Sequence, residues 1–565
     1  MDKHLVEKFL KLKGHLLILI LALVVMVGLK VWLLIQGVVP FNSDEAIVGL
    51  MARHILAGEP TTFFYGQAYM GSLDAILVGV LFNFLGHEVW VVRLLQIILY
   101  AATIITTVLV AKAAFGSIET GIIAAILLAV PNINTTLYTT ISLGGYGEAL
   151  LLGNLLILLG LFIVRNTGWF LNGDENHSSD FKKIFSERGW MLTCLLGAVV
   201  GFGLWVNGLT LVYSIPVVIL VLYVFLRNFN KIGRILLFQH VSFGLLGFFL
   251  GAAPWWVYAI QHGAEQLIFE LFGSAVSVES GSIFNRFISH MFNLTVLGGT
   301  VILGIRPPWE IRWLAVPLLP FNLIFWFGVF FFWVGQIRKG RAAYLLFAGI
   351  AITLALGFLL TSFGVDPSGR YFLPLAVPMA LVGAELVRST AEQIQKNRLL
   401  FKIVPVGLVI FYNLWGTIEC ANRYPPGINS QFDLSTVFDR RYDDALLRFL
   451  EENNLKYGYT NYWVAYPITF LSQEELIYVP RLPYHDDLRY TSRDDRYPPY
   501  TELVRSAESI TYITTRSPNL DRYIERAFKA ENIQWQENWI GDYHIFYNLS
   551  RIIHPEEIGL GITTP

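Results

Sequence analysis

Apolar runs long enough to cross a bilayer as helices, about 20 residues each, recur along this chain. They lie near 14–36, 89–111, 118–137, 148–164, 190–206, 209–226, 235–258, 313–336, 343–363, 372–388 and 402–419. The pattern predicts an α-helical polytopic membrane protein with about eleven transmembrane helices. Charge between the runs tests that count. With the N-terminus cytoplasmic, the connections on that side carry Lys112; then Arg165, Lys182, Lys183 and Arg188; then Arg227, Lys231 and Arg234. The last two carry Arg338, Lys339 and Arg341, and Arg388, Lys396, Arg398 and Lys402. Every even-numbered connection is basic, as the positive-inside rule requires.

The run Leu73–Leu85 is too short to cross and reads as a helix lying at the interface. If it crossed, the basic connections would face outward. Lys3, Lys8, Lys11 and Lys13 precede a run that is too long for a signal-peptide core and lacks a small-residue cleavage site, so it reads as a retained anchor. On this topology the first outer loop 37–88, a connection from about Gln261 to Arg312, and everything after Cys420 lie outside the membrane.

Past Cys420 the pattern changes. Residues 421–565 are rich in Tyr, Asp, Arg and Pro and contain no spanning run. They read as an extracytoplasmic α/β domain following a transmembrane domain over 1–420. Helices are expected over 442–453 and 519–530, strands over 457–460, 474–479, 510–514 and 542–548, and a charged, proline-rich loop over 484–500. No internal repeat is visible, which argues against an inverted-repeat transporter.

Composition narrows the function classes. Of 565 residues, 55% are hydrophobic and 15% charged, which excludes a soluble globular chain. A formal net charge of -1 provides no broad basic face for nucleic acid. The two cysteines, Cys194 and Cys420, form neither a disulfide framework nor a metal spacing.

The candidate chemistry begins where the first span ends. Asp44 and Glu45 stand within a few residues of that point, and charge so close to hydrocarbon suggests function. The alternative is that Ser43 or Asp44 N-caps a surface helix over 46–56. A carboxylate at the outer face can take a proton from an attacking hydroxyl. If the leaving group is a phosphate, the site needs cations rather than an acid. Arg370, in Asp366-Pro-Ser-Gly-Arg-Tyr, enters a late span from the outer side; pairing with Asp366 or an interfacial role is its bland alternative. Arg53 and His54 share the helix of the acidic pair, with a salt bridge or a headgroup contact as the alternative. Tyr146 and Glu148 open the fourth span beside Gly144, Gly145 and Gly147, and Glu148 alternatively packs between helices with a polar partner. Tyr65 and Tyr69 are aromatic candidates for sugar contact, or else interface residues. His262, Glu265, Arg286 and His290 match no metal spacing. No cofactor is required, although a divalent metal on Asp44, Glu45 and outer-loop histidines is compatible with the residue types.

These residues resemble the GT-C glycosyltransferases, of the group containing protein O-mannosyltransferases and the aminoarabinose transferase of lipid A. The resemblance rests on SDEAIVGLMARHILAG, the following FFYGQAYMGSLDAILVGVLFNFLG, VVRLLQ at the second span, and SGRYFLPL entering a late one. It implies inverting transfer from a polyprenyl-phosphate sugar, with Asp44 as base, Glu45 assisting, and Arg370 with Tyr371 at the donor phosphate. The sequence departs from the pattern at Gly66-Gln-Ala-Tyr-Met-Gly71, where related members often carry an acidic or Lys-Pro element, and at Gly145, where some have Arg.

The expectation is therefore a multi-pass enzyme of the cell (plasma or inner) membrane that uses a polyprenyl-phosphate sugar donor and a hydroxyl on a lipid, glycan or protein. A lipid-linked saccharide flippase, which should carry polar residues near mid-membrane, and a non-catalytic scaffold, indifferent to loss of Asp44, are the rival readings.

Overall fold

The computed structural model describes residues 3–165, 189–274, 282–394 and 397–563. Lys182, Lys183, Arg188 and Lys396, expected in cytoplasmic connections, lie outside the described residues. Among those described, ten helices are long and apolar enough to cross a membrane: Lys13–Ile35, Val89–Phe115, Tyr146–Val164, Gly189–Val206, Gly208–Arg227, Arg234–Gly251, Val316–Arg338, Ala342–Leu360, Arg370–Gln393 and Arg398–Ala421.

The expected span over 118–137 is divided rather than continuous. It forms a helix Ile118–Ala129 and a short helix Ile133–Tyr138, because Pro131 lacks an N–H and its ring excludes a continuing turn. Side chains take up the backbone groups freed at the break. Asn413 Nδ2 donates to the Val130 carbonyl at 3.0 Å, Thr136 Oγ1 donates to that of Pro131 at 3.3 Å, and Asn132 Oδ1 accepts from the Thr135 N–H at 2.9 Å. Irregular backbone is tolerated at membrane depth where protein satisfies it in this way. Leu73–Leu85 forms the expected short helix, with Asp74, Ala75, Val78 and Phe82 buried and Val80 and Phe84 exposed. The helices Gly189–Val206 and Arg234–Gly251 meet through small residues. A Cβ on Gly197 would stand 1.9 Å from the Gly244 carbonyl oxygen, so only glycine lets the backbones come so close.

Beyond Ala421 the chain builds a five-stranded sheet from β3 (Tyr457–Thr460), β4 (Ile477–Pro480), β5 (Thr511–Thr515), β6 (Gln536–Ile540) and β7 (Tyr543–Tyr547), in the order β4-β3-β5-β7-β6. Two further short strands, β1 (Phe63–Phe64) and β2 (Gln67–Gly71), pair in the first outer loop. In the larger sheet β3 is parallel to β4 and β5, and β7 is antiparallel to β5 and β6. Helices Tyr462–Leu471 and Pro498–Arg505 make the crossovers. The pattern expected for this region misses β6, a polar strand at the sheet edge, and the helix Tyr462–Leu471. That helix is buried over residues 462–470 and so carries no amphipathic period. The expected loop over 484–500 gives way to helix at Pro498.

The buried helix is what joins the two parts of the chain. It packs on the helix Ser43–Leu56, where a Cβ on Gly49 would lie 2.3 Å from the Phe470 ring. Ser43 Oγ donates to the Tyr462 carbonyl at 2.5 Å, and Arg53 Nη1 donates to that of Phe470 at 2.9 Å. The Arg53 guanidinium also lies 4.1 Å from the Phe470 ring centroid and donates to the His87 carbonyl at 3.2 Å. Beside it, His54 bonds to Tyr65 Oη at 2.7 Å and to Glu474 Oε1 at 3.0 Å, while Tyr500 Oη donates to Glu474 at 2.6 Å.

This latch fixes a pH dependence. Burial alone would raise the Glu474 pKa, but the hydrogen bonds from His54 and Tyr500, with the charge of Arg53, outweigh it and hold the carboxyl below its usual 4.5. A depressed carboxylate pKa contributes stability that is complete above the unfolded value and is lost as pH falls through the folded one. Thermal melts of the detergent-solubilised protein at about pH 6 and about pH 4 should show a larger acid loss in wild type than in Glu474→Gln. Equal losses would mean that the latch is not charged.

Candidate functional site

The helix Ser43–Leu56 is capped by Asn42, whose Oδ1 accepts from the Glu45 N–H at 3.1 Å. This corrects the capping alternative in both respects: neither Ser43 nor Asp44 is the cap, and the helix is buried along most of its length. Both carboxylates sit in its first turn, where the helix dipole favours negative charge. Their surroundings then separate them.

Glu45 is fully buried and forms a two-pronged ion pair with Arg93, Nε to Oε1 at 2.8 Å and Nη2 to Oε2 at 2.7 Å. Arg93 also donates to the carbonyls of Val39 at 3.1 Å and Pro40 at 3.2 Å. With both oxygens engaged, Glu45 ties the start of its helix to the second span and to the preceding turn. That places Glu45 to position the helix start that carries Asp44.

Asp44 is half-buried and accepts from Tyr462 Oη at 2.5 Å. The Arg496 guanidinium stands 5.6 Å from the Tyr462 ring and donates through Nη1 to the Gly66 carbonyl at 3.1 Å. Gly66 has φ +69°, and a Cβ there would meet Arg496 Cδ at 2.9 Å. Burial acts to lower the Arg496 pKa, but the neighbouring Tyr462, Asp44 and Asp494 more than offset it and the guanidinium is held charged. Burial, with the Asp44 charge adding to it, pushes the Tyr462 phenol well up, so it keeps its proton and donates. Burial also pushes the Asp494 carboxyl up to about 6.

Tyr69 lies within electrostatic reach of Asp44, Arg496 and Arg370 and so links two groups of residues. The second group is Arg370, Tyr371 and Tyr146. The loop that delivers Arg370 is fixed by the short helix past the Pro131 break. Tyr138 Oη donates to the Ser368 carbonyl at 2.7 Å and Asn134 Nδ2 to that of Gly369 at 3.1 Å. Gly369 has φ +85°, and a Cβ there would stand 2.3 Å from Asn134 Oδ1. Arg370 pairs with Asp366 at 2.6 Å and lies 5.1 Å from the Tyr371 ring centroid. Its Nε and the Tyr371 hydroxyl are buried without a hydrogen-bond partner among the described residues, and the buried hydroxyls of Tyr69 and Tyr146 face each other. Neighbouring buried donors with so few protein acceptors are able to receive an anion. Tyr69 and Tyr371 also line an apolar cavity of about 220 Å³ between the spans Gly208–Arg227 and Ala342–Leu360, with Val212, Leu354 and Phe358 among its walls.

The other expected site residues lie elsewhere. Arg53, His54 and Tyr65 belong to the latch at the far end of the helix, about two turns or more from Asp44. Glu148 is buried against Asp74, which accepts from Gln96 Nε2 at 3.2 Å, the Gly145 N–H at 3.4 Å and the Ser142 hydroxyl. It does not join the anion site. Among the described residues no three of His, Cys, Asp and Glu are grouped as a metal would need. Tyr462, Arg496, Arg93 and Asp74 are the residues that sequence reasoning missed. Asn461 after a strand is a helix-start signal that could have placed Tyr462 on a helix, but nothing local indicates its contact with Asp44.

The Glu45 pair gives a direct test of the scaffold. Glu45→Ala leaves the Arg93 charge buried and unpaired and should cost about 3–5 kcal/mol, read as a lowered midpoint in thermal unfolding. Replacing both residues by Met should recover most of it. A single variant within about 0.5 kcal/mol of wild type would show that the pair does not hold the helix start.

No protein-family model matches the chain, and no curated protein matches it in sequence. Among solved structures, ArnT from Cupriavidus metallidurans bound to undecaprenyl phosphate is similar over 95% of this chain and 98% of its own, at 13% identity and a TM-score of 0.58. ArnT in the apo state covers 93% and 97%, at 13% identity and 0.56. The archaeal oligosaccharyltransferase AglB from Archaeoglobus fulgidus, in complex with an inhibitory peptide and a dolichol-phosphate, covers 89% of this chain and 70% of its own, at 11% identity and 0.45. The overlap with ArnT, nearly complete in both directions, gives this chain the fold of that protein.

Proposed function

We propose that the protein is an inverting glycosyltransferase of the cell membrane that moves a sugar from a polyprenyl phosphate to a hydroxyl on a lipid, glycan or protein at the outer face. The observation that carries this reading is the set of buried donors Tyr69, Tyr146, Tyr371 and Arg370 Nε, in which Tyr69 lies within electrostatic reach of Asp44 and both Tyr69 and Tyr371 line the apolar cavity. The cavity suits the first units of an isoprenoid chain, and the donors suit its phosphate. The fold shared with ArnT, a protein seen with undecaprenyl phosphate, supports the same assignment.

Asp44 takes the proton of the acceptor hydroxyl as its oxygen bonds to the anomeric carbon from the face opposite the phosphate. The bond from carbon to phosphate oxygen breaks, and its electron pair stays on the phosphate, whose growing charge the three tyrosine hydroxyls and the Arg370 guanidinium receive. No acid is needed for the leaving group. Residues 421–565 form the extracytoplasmic domain and close the site through Tyr462 and Arg496. A divalent metal is not required by this scheme.

The test is transfer of label from a mixed pool of undecaprenyl-phosphate-linked hexoses and pentoses by purified protein with membrane-extract acceptors. Asp44→Asn should reduce transfer by about 10²–10⁴-fold while donor binding is retained. Arg370→Ala should weaken donor binding itself. Equal transfer by Asp44→Asn and wild type would remove Asp44 as the base, and the absence of both transfer and donor binding in wild type would overturn the enzyme reading.

A further inference from the structure

We propose that the helix Ile283–Phe292 is sunk in the outer leaflet with lipid acyl chains against its apolar side. The connection between the spans Arg234–Gly251 and Val316–Arg338 is then in part a membrane anchor rather than an aqueous loop.

At about 100° per residue, the side chains divide this helix into three sectors. Ile283, Phe284, Phe287, Ile288, Met291 and Phe292 fall within one half of its circumference and all are exposed, Ile283 at 78% and Phe284 at 70%. Arg286 and His290 form a second sector, in which His290 is buried and Arg286 half-buried. Asn285 and Ser289 form the third and are exposed. A helix resting on a protein core turns its apolar stripe inward. Here a histidine faces the protein and the apolar half faces away, a patch that calls for a partner. A helix at the rim of a membrane protein meets protein, lipid and water at once, and the three sectors match those three surroundings.

The sector facing the protein is firmly docked. His290 Nδ1 donates to the Leu359 carbonyl at 3.1 Å, and a Cβ on Gly364 would stand 2.4 Å from the His290 ring. Asn293 Nδ2 donates to the Gly364 carbonyl at 2.8 Å. These partners lie where the span Ala342–Leu360 ends, away from the basic turn with Lys339 and Arg341, which is its outer end by the positive-inside rule. The same span exposes Ile352, Leu356 and Leu360 at four-residue spacing, as a stripe facing lipid. Leu360 directly follows the carbonyl that His290 holds, so the apolar half of the helix continues a surface already facing acyl chains.

An interfacial helix of this kind buries its apolar side about 5–10 Å into the boundary between headgroups and chains. Through Asn293 and Gly364, that insertion holds the turn leading to Asp366 and Arg370 at a set depth.

The experiment uses the full chain with Cys194→Ser and Cys420→Ser, in nanodiscs of phosphatidylethanolamine and phosphatidylglycerol that hold one copy each. Nitroxide labels are attached to Phe284→Cys, Asn285→Cys, Ile288→Cys and Ser289→Cys in turn. Relaxation by oxygen, which concentrates among acyl chains, is compared with relaxation by a water-soluble nickel chelate. The ratio of oxygen to nickel effect should be several-fold higher for Phe284→Cys and Ile288→Cys than for Asn285→Cys and Ser289→Cys. An equal or reversed ratio puts the apolar half in water and overturns the proposal. Low relaxation by both agents at Phe284→Cys and Ile288→Cys means that protein covers this half, and overturns it as well. Each sector carries two labels, so one poorly folding variant leaves the comparison intact.

Discussion

The packing of the helix Tyr462–Leu471 on the helix Ser43–Leu56 is the constraint from which the site follows. It is possible because Gly49 leaves room for the Phe470 ring, and it is bonded at both ends, by Ser43 to Tyr462 and by Arg53 to Phe470. Bonds at both ends and a filled middle set the register of the pair. Tyr462 therefore meets Asp44 as a consequence of helix docking, and the loop carrying Arg496 is brought over Gly66. On the membrane side, the Glu45 pair with Arg93 holds the start of the same helix to the second span. The helix is thus clamped between the bundle and the α/β part, with Asp44 at the junction.

The break at Pro131 does comparable work for Arg370. A continuous helix from Ile118 to Tyr138 would carry Asn134 and Tyr138 along a straight axis. The turn after Val130 instead lets both side chains take the carbonyls of Ser368 and Gly369. Those bonds fix the backbone immediately before Arg370, and the positive φ at Gly369 makes the turn that enters the span. The proline is thus part of how the cation is aimed.

The bundle was legible in the sequence because the spans are long apolar runs and every second connection between them is basic. Asp44 was legible for a related reason: charge beside hydrocarbon is costly and so conspicuous. The division of labour inside the acidic pair was not, because it is set by Arg93, 48 positions beyond Glu45, and by Tyr462, 418 beyond Asp44. Arg53 and His54 share the helix of Glu45, but the sequence does not show that Phe470 and Glu474 cover them. The helix over Tyr462–Leu471 escaped because burial on every side removes the period that reveals a helix. Arg496 sat in a charged, proline-rich stretch that reads as loop, and its importance comes entirely from where that loop lands.

The charge arrangement around Arg370 shows how a buried cation is held at such a site. An unpaired guanidinium at the membrane face would be expensive, and Asp366 offsets that cost through a 2.6 Å contact with Nη2. The contact leaves Nε without a protein acceptor, on a guanidinium whose neighbours include the hydroxyls of Tyr69, Tyr146 and Tyr371. Neutral hydroxyls can stay buried at far lower cost than further cations and still converge on an anion when one arrives. Under the proposed reading, the resting site is close to electroneutral and the donor's own phosphate provides the excess charge. Three phenols beside one paired arginine then bind a phosphate more reversibly than two free cations would. That suits a site that must release the same phosphate once its sugar has gone.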